Sequence, residues 1–149
     1  MEKMRYREEN IILLVEDNSD DIELTRRMFT RNRIGNKLEW IQDGGEVLDY
    51  LFYQGIYQGR SYSLPSLILL SLSLPKMDVI DMVKKIRAGK QTSAIPVFLL
   101  ISQEEERSLM REAGIKVDGF IQKPIDIDKL KKVVEGRDFS LILEEGKNG

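Results

Sequence analysis

The chain has no cysteine and no histidine among its 149 residues. The first absence excludes disulfides and thiol chemistry. The second removes the commonest general base and any internal phosphohistidine, and the two together exclude the usual zinc sites. Apolar runs are short. None approaches the roughly 18 residues that a membrane-spanning helix needs, and the opening Met1-Glu2-Lys3-Met4-Arg5-Tyr6-Arg7 leads into acids rather than a signal-peptide core. A dominant charge is missing as well: 23 basic and 25 acidic residues leave a net charge of −2, so no electrostatic footprint for nucleic acid stands out. These absences lead us to expect a cytoplasmic protein with no nucleic-acid or membrane partner, and with carboxylates, lysines, hydroxyls and surfaces as its chemistry.

What is present is regular alternation. With 42% hydrophobic and 32% charged residues, the chain is suited to a single domain with a self-sustaining core. Ile11 to Val15 reads as a buried strand with acids at its carboxyl end. Asp17 to Asp21 is rich in capping residues, and Ile22, Met28 and Phe29 then recur at helical spacing until Asn32 to Asn36 breaks the pattern. Leu38 to Ile41 reads as a more exposed strand, and Asp43-Gly44-Gly45 leads into a helix carrying Val47, Leu48, Leu51 and Phe52. A long loop with Gly55, Gly59 and Ser61 to Pro65 precedes the most apolar strand, Leu67 to Leu72. Its helix holds Ile80, Val83 and Ile86 and stops near Gly89. Ile95 to Ile101, Glu104 to Ala113, Gly119 to Gln122 and Asp126 to Glu135 then complete five strand–helix units. Strands this apolar, joined by helical crossovers, imply a doubly wound α/β domain: a five-stranded parallel sheet covered on both faces. We divide the chain into an N-terminal extension (1–9), the domain (10–137) and a tail (138–149). The tail includes the apolar Phe139 to Leu143, which either covers the core edge or meets a partner.

Ligand chemistry in such sheets gathers at the carboxyl ends of the strands. The residues there are Glu16 and Asp17, Ser71, Ile101 and Ser102, and Lys123. Leu14-Val15-Glu16-Asp17-Asn18, the stretch Leu67 to Asp78, Pro96 to Ser102 and Phe120-Ile121-Gln122-Lys123-Pro124, in that order, resemble the receiver domain of two-component response regulators. The resemblance covers about Asn10 to Glu135. The loop from Tyr50-Leu51-Phe52 through Gly55, Tyr57, Gly59 and Arg60 is similar, within that family, to stand-alone regulators that partner bacteriophytochromes.

The resemblance implies a flavodoxin-like (βα)5 fold with strand order 2-1-3-4-5, and a set of roles. An acidic pair holds Mg²⁺, an aspartate accepts a phosphoryl group from a kinase histidine, a Thr or Ser hydroxyl binds it, and a lysine pairs with it. Glu16 and Asp17 keep the acidic pair, although acids also suit a helix N-terminus. With no third carboxylate, weak or vestigial Mg²⁺ binding is expected, and no cofactor is required. The acceptor position carries Ser71. A serine nucleophile needs a base that this chain lacks. Asp78, on the following loop, is a poor substitute acceptor, and Val79 stands where a glycine is usual. Ile101 takes the place of the phosphate-binding hydroxyl, where its bulk is expected to fill the phosphoryl space. Ser102 would substitute only after a one-residue shift. Lys123, without a phosphate, is expected to pair with Glu16 or Asp17, and a cis Lys123–Pro124 bond is implied by the family. Phe120 falls at the family's rotating aromatic, with ordinary packing as the equal alternative.

The resulting expectation is a degenerate, stand-alone receiver: a pseudo-receiver with no catalytic residue, not an enzyme, acting by protein–protein binding in a phosphorelay pathway. Its partner would be a sensor histidine kinase of phytochrome type or another receiver. Homo- or heterodimers are expected through the face of the fourth helix, fifth strand and fifth helix, where Glu104, Glu105 and Glu106 meet Lys129, Lys131 and Lys132, with Asp118 before strand five and Phe120, Ile115 or Val117 as apolar contacts. One alternative is an authentic phospho-accepting regulator whose aspartate is replaced by Ser71. A weaker one is a small Mg²⁺-dependent phosphatase.

Overall fold

A computed structural model of the chain describes residues 10–59, 64–136 and 141–144. The extension at 1–9, Arg60 of the phytochrome-type loop, and Phe139 lie outside the described residues. The elements are β1 (Ile12–Val15), α1 (Ser19–Arg31), β2 (Leu38–Ile41), α2 (Gly44–Leu51), a 3-10 turn (Gly55–Tyr57), β3 (Leu67–Ser71), α3 (Lys76–Ala88), β4 (Val97–Ile101), α4 (Glu104–Glu112), β5 (Gly119–Gln122) and α5 (Ile127–Val134). All strand pairings are parallel and the sheet order is β2-β1-β3-β4-β5, as expected.

Alternation along the strands builds two cores, because successive side chains leave a sheet on opposite faces. Leu13, Val15, Ile68, Leu70, Val97, Leu99 and Ile101 point to one side, where Val47 and Leu51 of α2, Val79, Val83 and Ile86 of α3 and Met110 of α4 cover them. Ile12, Leu14, Leu67, Leu69, Phe98 and Leu100 point to the other, against Ile22, Met28 and Phe29 of α1 and Leu130 and Val134 of α5. Because β1, β3 and β4 are buried on both faces, they read as continuous apolar runs. The edge strand β2 is partly exposed.

Capping residues fix where the helices start, and hence where the strand-end loops turn. Asn18 accepts from Asp21 N at 2.9 Å, Asp43 from Gly45 N at 2.9 Å, and Asp126 from Lys129 N at 2.8 Å. Glu106 folds back to accept from Ser102 N (2.7 Å) and Gln103 N (3.1 Å), closing the start of α4. Asp78 corrects one expectation: it lies in the first turn of α3 rather than on a loop, and Val79 beside it is fully buried. A helix that starts this early favours an acid in its first turn and needs an apolar residue next, and this accounts for both.

Residues 141–144 of the tail lie against the core edge. Gly35 N donates to Ile142 O (2.5 Å), Glu144 N donates to Arg33 O (2.8 Å), and an antiparallel bridge joins Ile34 to Leu143. Asn36 Oδ1 accepts from Ile142 N (2.7 Å), and Leu141 packs on the α1–α5 core.

Candidate functional site

At the carboxyl ends of β1, β3 and β5 the expected residues converge. Glu16 is 1% exposed, a carboxylate nearly removed from water, and burial of that kind requires partners. Lys123 supplies one, with Nζ 2.7 Å from Glu16 Oε1. Glu16 Oε2 accepts from Asn18 N at 3.2 Å and from Ser73 Oγ at 2.7 Å. The ammonium also donates to Asp21 Oδ2 at 2.9 Å. Lys123 thus pairs with Glu16 as expected, but its second partner is Asp21, on the first turn of α1, and not Asp17. The direction of β1 decides this: Glu16 directly follows the buried strand, whereas Asp17 lies one residue further out and is exposed.

Burial of the Lys123 ammonium works to lower its pKa. The hydrogen bonds and charges of Glu16 and Asp21 outweigh that penalty and hold it above the ordinary lysine value. The Lys123–Pro124 bond is cis, as the family resemblance implied.

Ser71 is fully buried at the end of β3. Its Oγ accepts from Ser73 N at 3.1 Å and lies 2.8 Å from Ser73 Oγ. Ser73 in turn reaches both members of the acidic pair, Glu16 Oε2 at 2.7 Å and Asp17 Oδ1 at 2.5 Å. A hydroxyl relay therefore runs from the acceptor position to the acids.

The family implies a divalent cation here, and the donor set does not fit one well. Among the described residues no three acidic side chains stand close enough to hold a metal ion. Asp17, Asp43 and Asp78 line one open groove without forming such a group. Of the two carboxylates available, Glu16 is already neutralised by Lys123. Magnesium requires near-octahedral oxygen ligation with carboxylates free to give it.

Ile101 is buried completely in the α2–α3–α4 core, so its side chain packs against apolar neighbours and presents no polar group at the strand end. Ser102 is exposed and its amide is tied to Glu106, so it does not take over the hydroxyl position. Phe120 is half-buried against the same core, with the guanidinium carbons of Arg107 and Arg111 at 5.2 and 5.7 Å from its ring centroid.

The charges expected on the α4–β5–α5 face are partly committed within the chain. Lys129 Nζ donates to Gln122 O (3.0 Å) and Pro124 O (2.9 Å). Asp118 binds Arg87 (2.9 Å) and Val97 N (2.8 Å), and Glu104 pairs with Arg107 at 3.1 Å. Glu105, Lys131 and Lys132 remain exposed, and none of them has an ion-pair partner among the described residues. Asp21 and Ser73 escaped the reading of the sequence. Asp21 looks like a first-turn helix acid, and Ser73 like loop filler; only their position two residues beyond Ser71 and one turn into α1 hinted at more.

With this geometry in view, the comparisons are decisive about class. Residues 12–135 match the response regulator receiver domain family, and the chain belongs to it: it is a receiver domain of two-component signalling. It resembles in particular the probable methanogenesis regulatory protein FilR2 of Methanothrix harundinacea, with 37% identity over 125 residues, 84% of this chain and 79% of that protein. Among solved structures, the bacteriophytochrome response regulator AtBRR superposes with a TM-score of 0.81 at 34% identity, covering 91% of this chain and 98% of that one. The phosphorylated cyanobacterial phytochrome response regulator RcpA superposes at 0.67 with 31% identity, covering 85% and 89%. The chain is therefore similar to phytochrome response regulators. No helix of the described residues is long and apolar enough to cross a membrane.

Proposed function

We propose that this receiver transmits its signal by protein–protein binding without accepting a phosphoryl group, a pseudo-receiver in a two-component pathway. The observation that carries the reading is Ser71: buried at the acceptor position and hydrogen-bonded to Ser73, it has neither a carboxylate to attack with nor a histidine to activate it. Ile101 supports it, since the usual hydroxyl at the end of β4 is replaced by a core side chain. The same lack of a nucleophile argues against a phosphatase, and against any enzymatic role. The partner is a histidine kinase of phytochrome type or another receiver, engaged through α4, β5 and α5. There Glu105 of one copy faces Lys131 and Lys132 of the other in an isologous contact, or the equivalent charges of a partner.

Acetyl phosphate with Mg²⁺ is the test. The intact mass is expected to stay unchanged, and a gain of one phosphoryl group, at any residue, would remove this reading. An aspartate-bearing regulator merely disabled at one position would instead be rescued fully by Ser71→Asp alone.

A further inference from the structure

We infer that Ser73 determines the metal specificity of the site: its hydroxyl closes the Glu16–Asp17 pair against divalent cations. The inference rests on the proposed function only in taking the acidic pair as a pocket that no longer serves phosphate.

A hydroxyl has one proton to donate and two lone pairs. Ser73 Oγ has three oxygen neighbours: Ser71 Oγ at 2.8 Å, Glu16 Oε2 at 2.7 Å and Asp17 Oδ1 at 2.5 Å. The contacts to Glu16 and Asp17 run from the Ser73 hydroxyl to the carboxylates, so Ser71, which accepts from Ser73 N, gives its own proton to Ser73 Oγ. The Ser73 proton is then left for the two carboxylates. Both acids therefore converge on one neutral atom, in the place where a receiver's acids would converge on a cation. An ion held at about 2.0–2.1 Å from each carboxylate would have to displace that hydroxyl or take it as a ligand.

Displacement is resisted by the loop. Leu72 N is bonded to Leu100 O (3.0 Å), Leu74 is buried in the core, and Pro75 restricts both itself and the residue before it. The backbone at Ser73 is thus held between two anchored neighbours. Lys123 completes the closure from the other side by holding Glu16 Oε1.

The experiment uses the full chain and the metal alone. Mn²⁺ and Mg²⁺ are titrated by calorimetry into the unmodified protein, Ser73→Ala and Ser73→Thr, with the Asp17 and Asn18 amide shifts followed in parallel. Ser73→Ala is expected to bind Mn²⁺ at least roughly tenfold more tightly, the scale on which groups bonded to metal ligands act. Ser73→Thr, which keeps the hydroxyl, should behave as the unmodified chain. Equal affinity in all three overturns the inference. Weaker binding by Ser73→Ala overturns it too, by showing the hydroxyl to be a ligand. Phosphoryl uptake by the unmodified chain would sink the proposed function, yet leave this comparison of metal affinities intact, so the two failures are separable.

Discussion

Ser71 and Ile101 sit one strand apart and have lost different things. Ser71 keeps a polar atom at the strand end but not the carboxylate, whereas Ile101 has been absorbed into the core. Ser71→Asp alone should therefore restore phosphorylation poorly, and Ser71→Asp with Ile101→Thr should restore it better, as read by intact mass after acetyl phosphate treatment. Equal labelling of the two would show that Ile101 is no obstacle. The second change carries a cost in stability. It removes apolar contacts and buries a hydroxyl, so Ile101→Thr should destabilise the fold by about 1–3 kcal/mol in urea denaturation.

Lys123 acts between elements, tying β5 to β1 through Glu16 and to α1 through Asp21. Replacing it by methionine leaves the buried Glu16 carboxylate without its counter-charge, and a loss of about 3–5 kcal/mol is expected. The pH dependence has a definite sign. Because the folded pKa is raised, the folded state binds more protons than the unfolded one as lysine titrates. The contribution of Lys123 is therefore fully present below about pH 10.4, the unfolded value, and is lost as pH rises through the folded pKa. The urea midpoint of the unmodified chain should fall more steeply than that of Lys123→Met as pH rises above about 10.4, and parallel curves would refute the assignment. The tail is another inter-element tie. Deleting residues 137–149 should release the Gly35 amide, now bonded to Ile142 O, to fast hydrogen exchange while the β1 and β3 amides stay protected.

Across the whole molecule, charge on the α4–β5–α5 face is sparser than the sequence alone suggests, because intramolecular bonds hold Lys129, Glu104 and Asp118. Reversing Lys129 would break the β5–α5 connection as well as any interface. Lys131→Glu with Lys132→Glu is the cleaner test. Sedimentation should shift toward monomer, or partner capture should fall, and the unmodified complex should weaken with salt. If neither changes, the contact lies elsewhere on the domain.

The strands and the doubly wound parallel sheet were legible in the one-dimensional pattern of apolar runs separated by amphipathic helices, and the strand order and family followed from the resemblance of the motifs at the strand ends. Glu16, Asp17, Ser71 and Lys123 were legible too, because strand ends in a parallel sheet converge whatever their details. The choice of partners was not. Glu16 and Asp17 are neighbours in sequence, but Glu16 directly follows the buried β1 while Asp17 lies one residue further out and is exposed, and only the helix start at Ser19 brings Asp21 to the lysine. Ser73 became part of the site, and Lys129 was tied to the end of β5, for a related reason: hydrogen bonds of 2.5 to 3.0 Å depend on how loops turn in space, and residue spacing does not encode that.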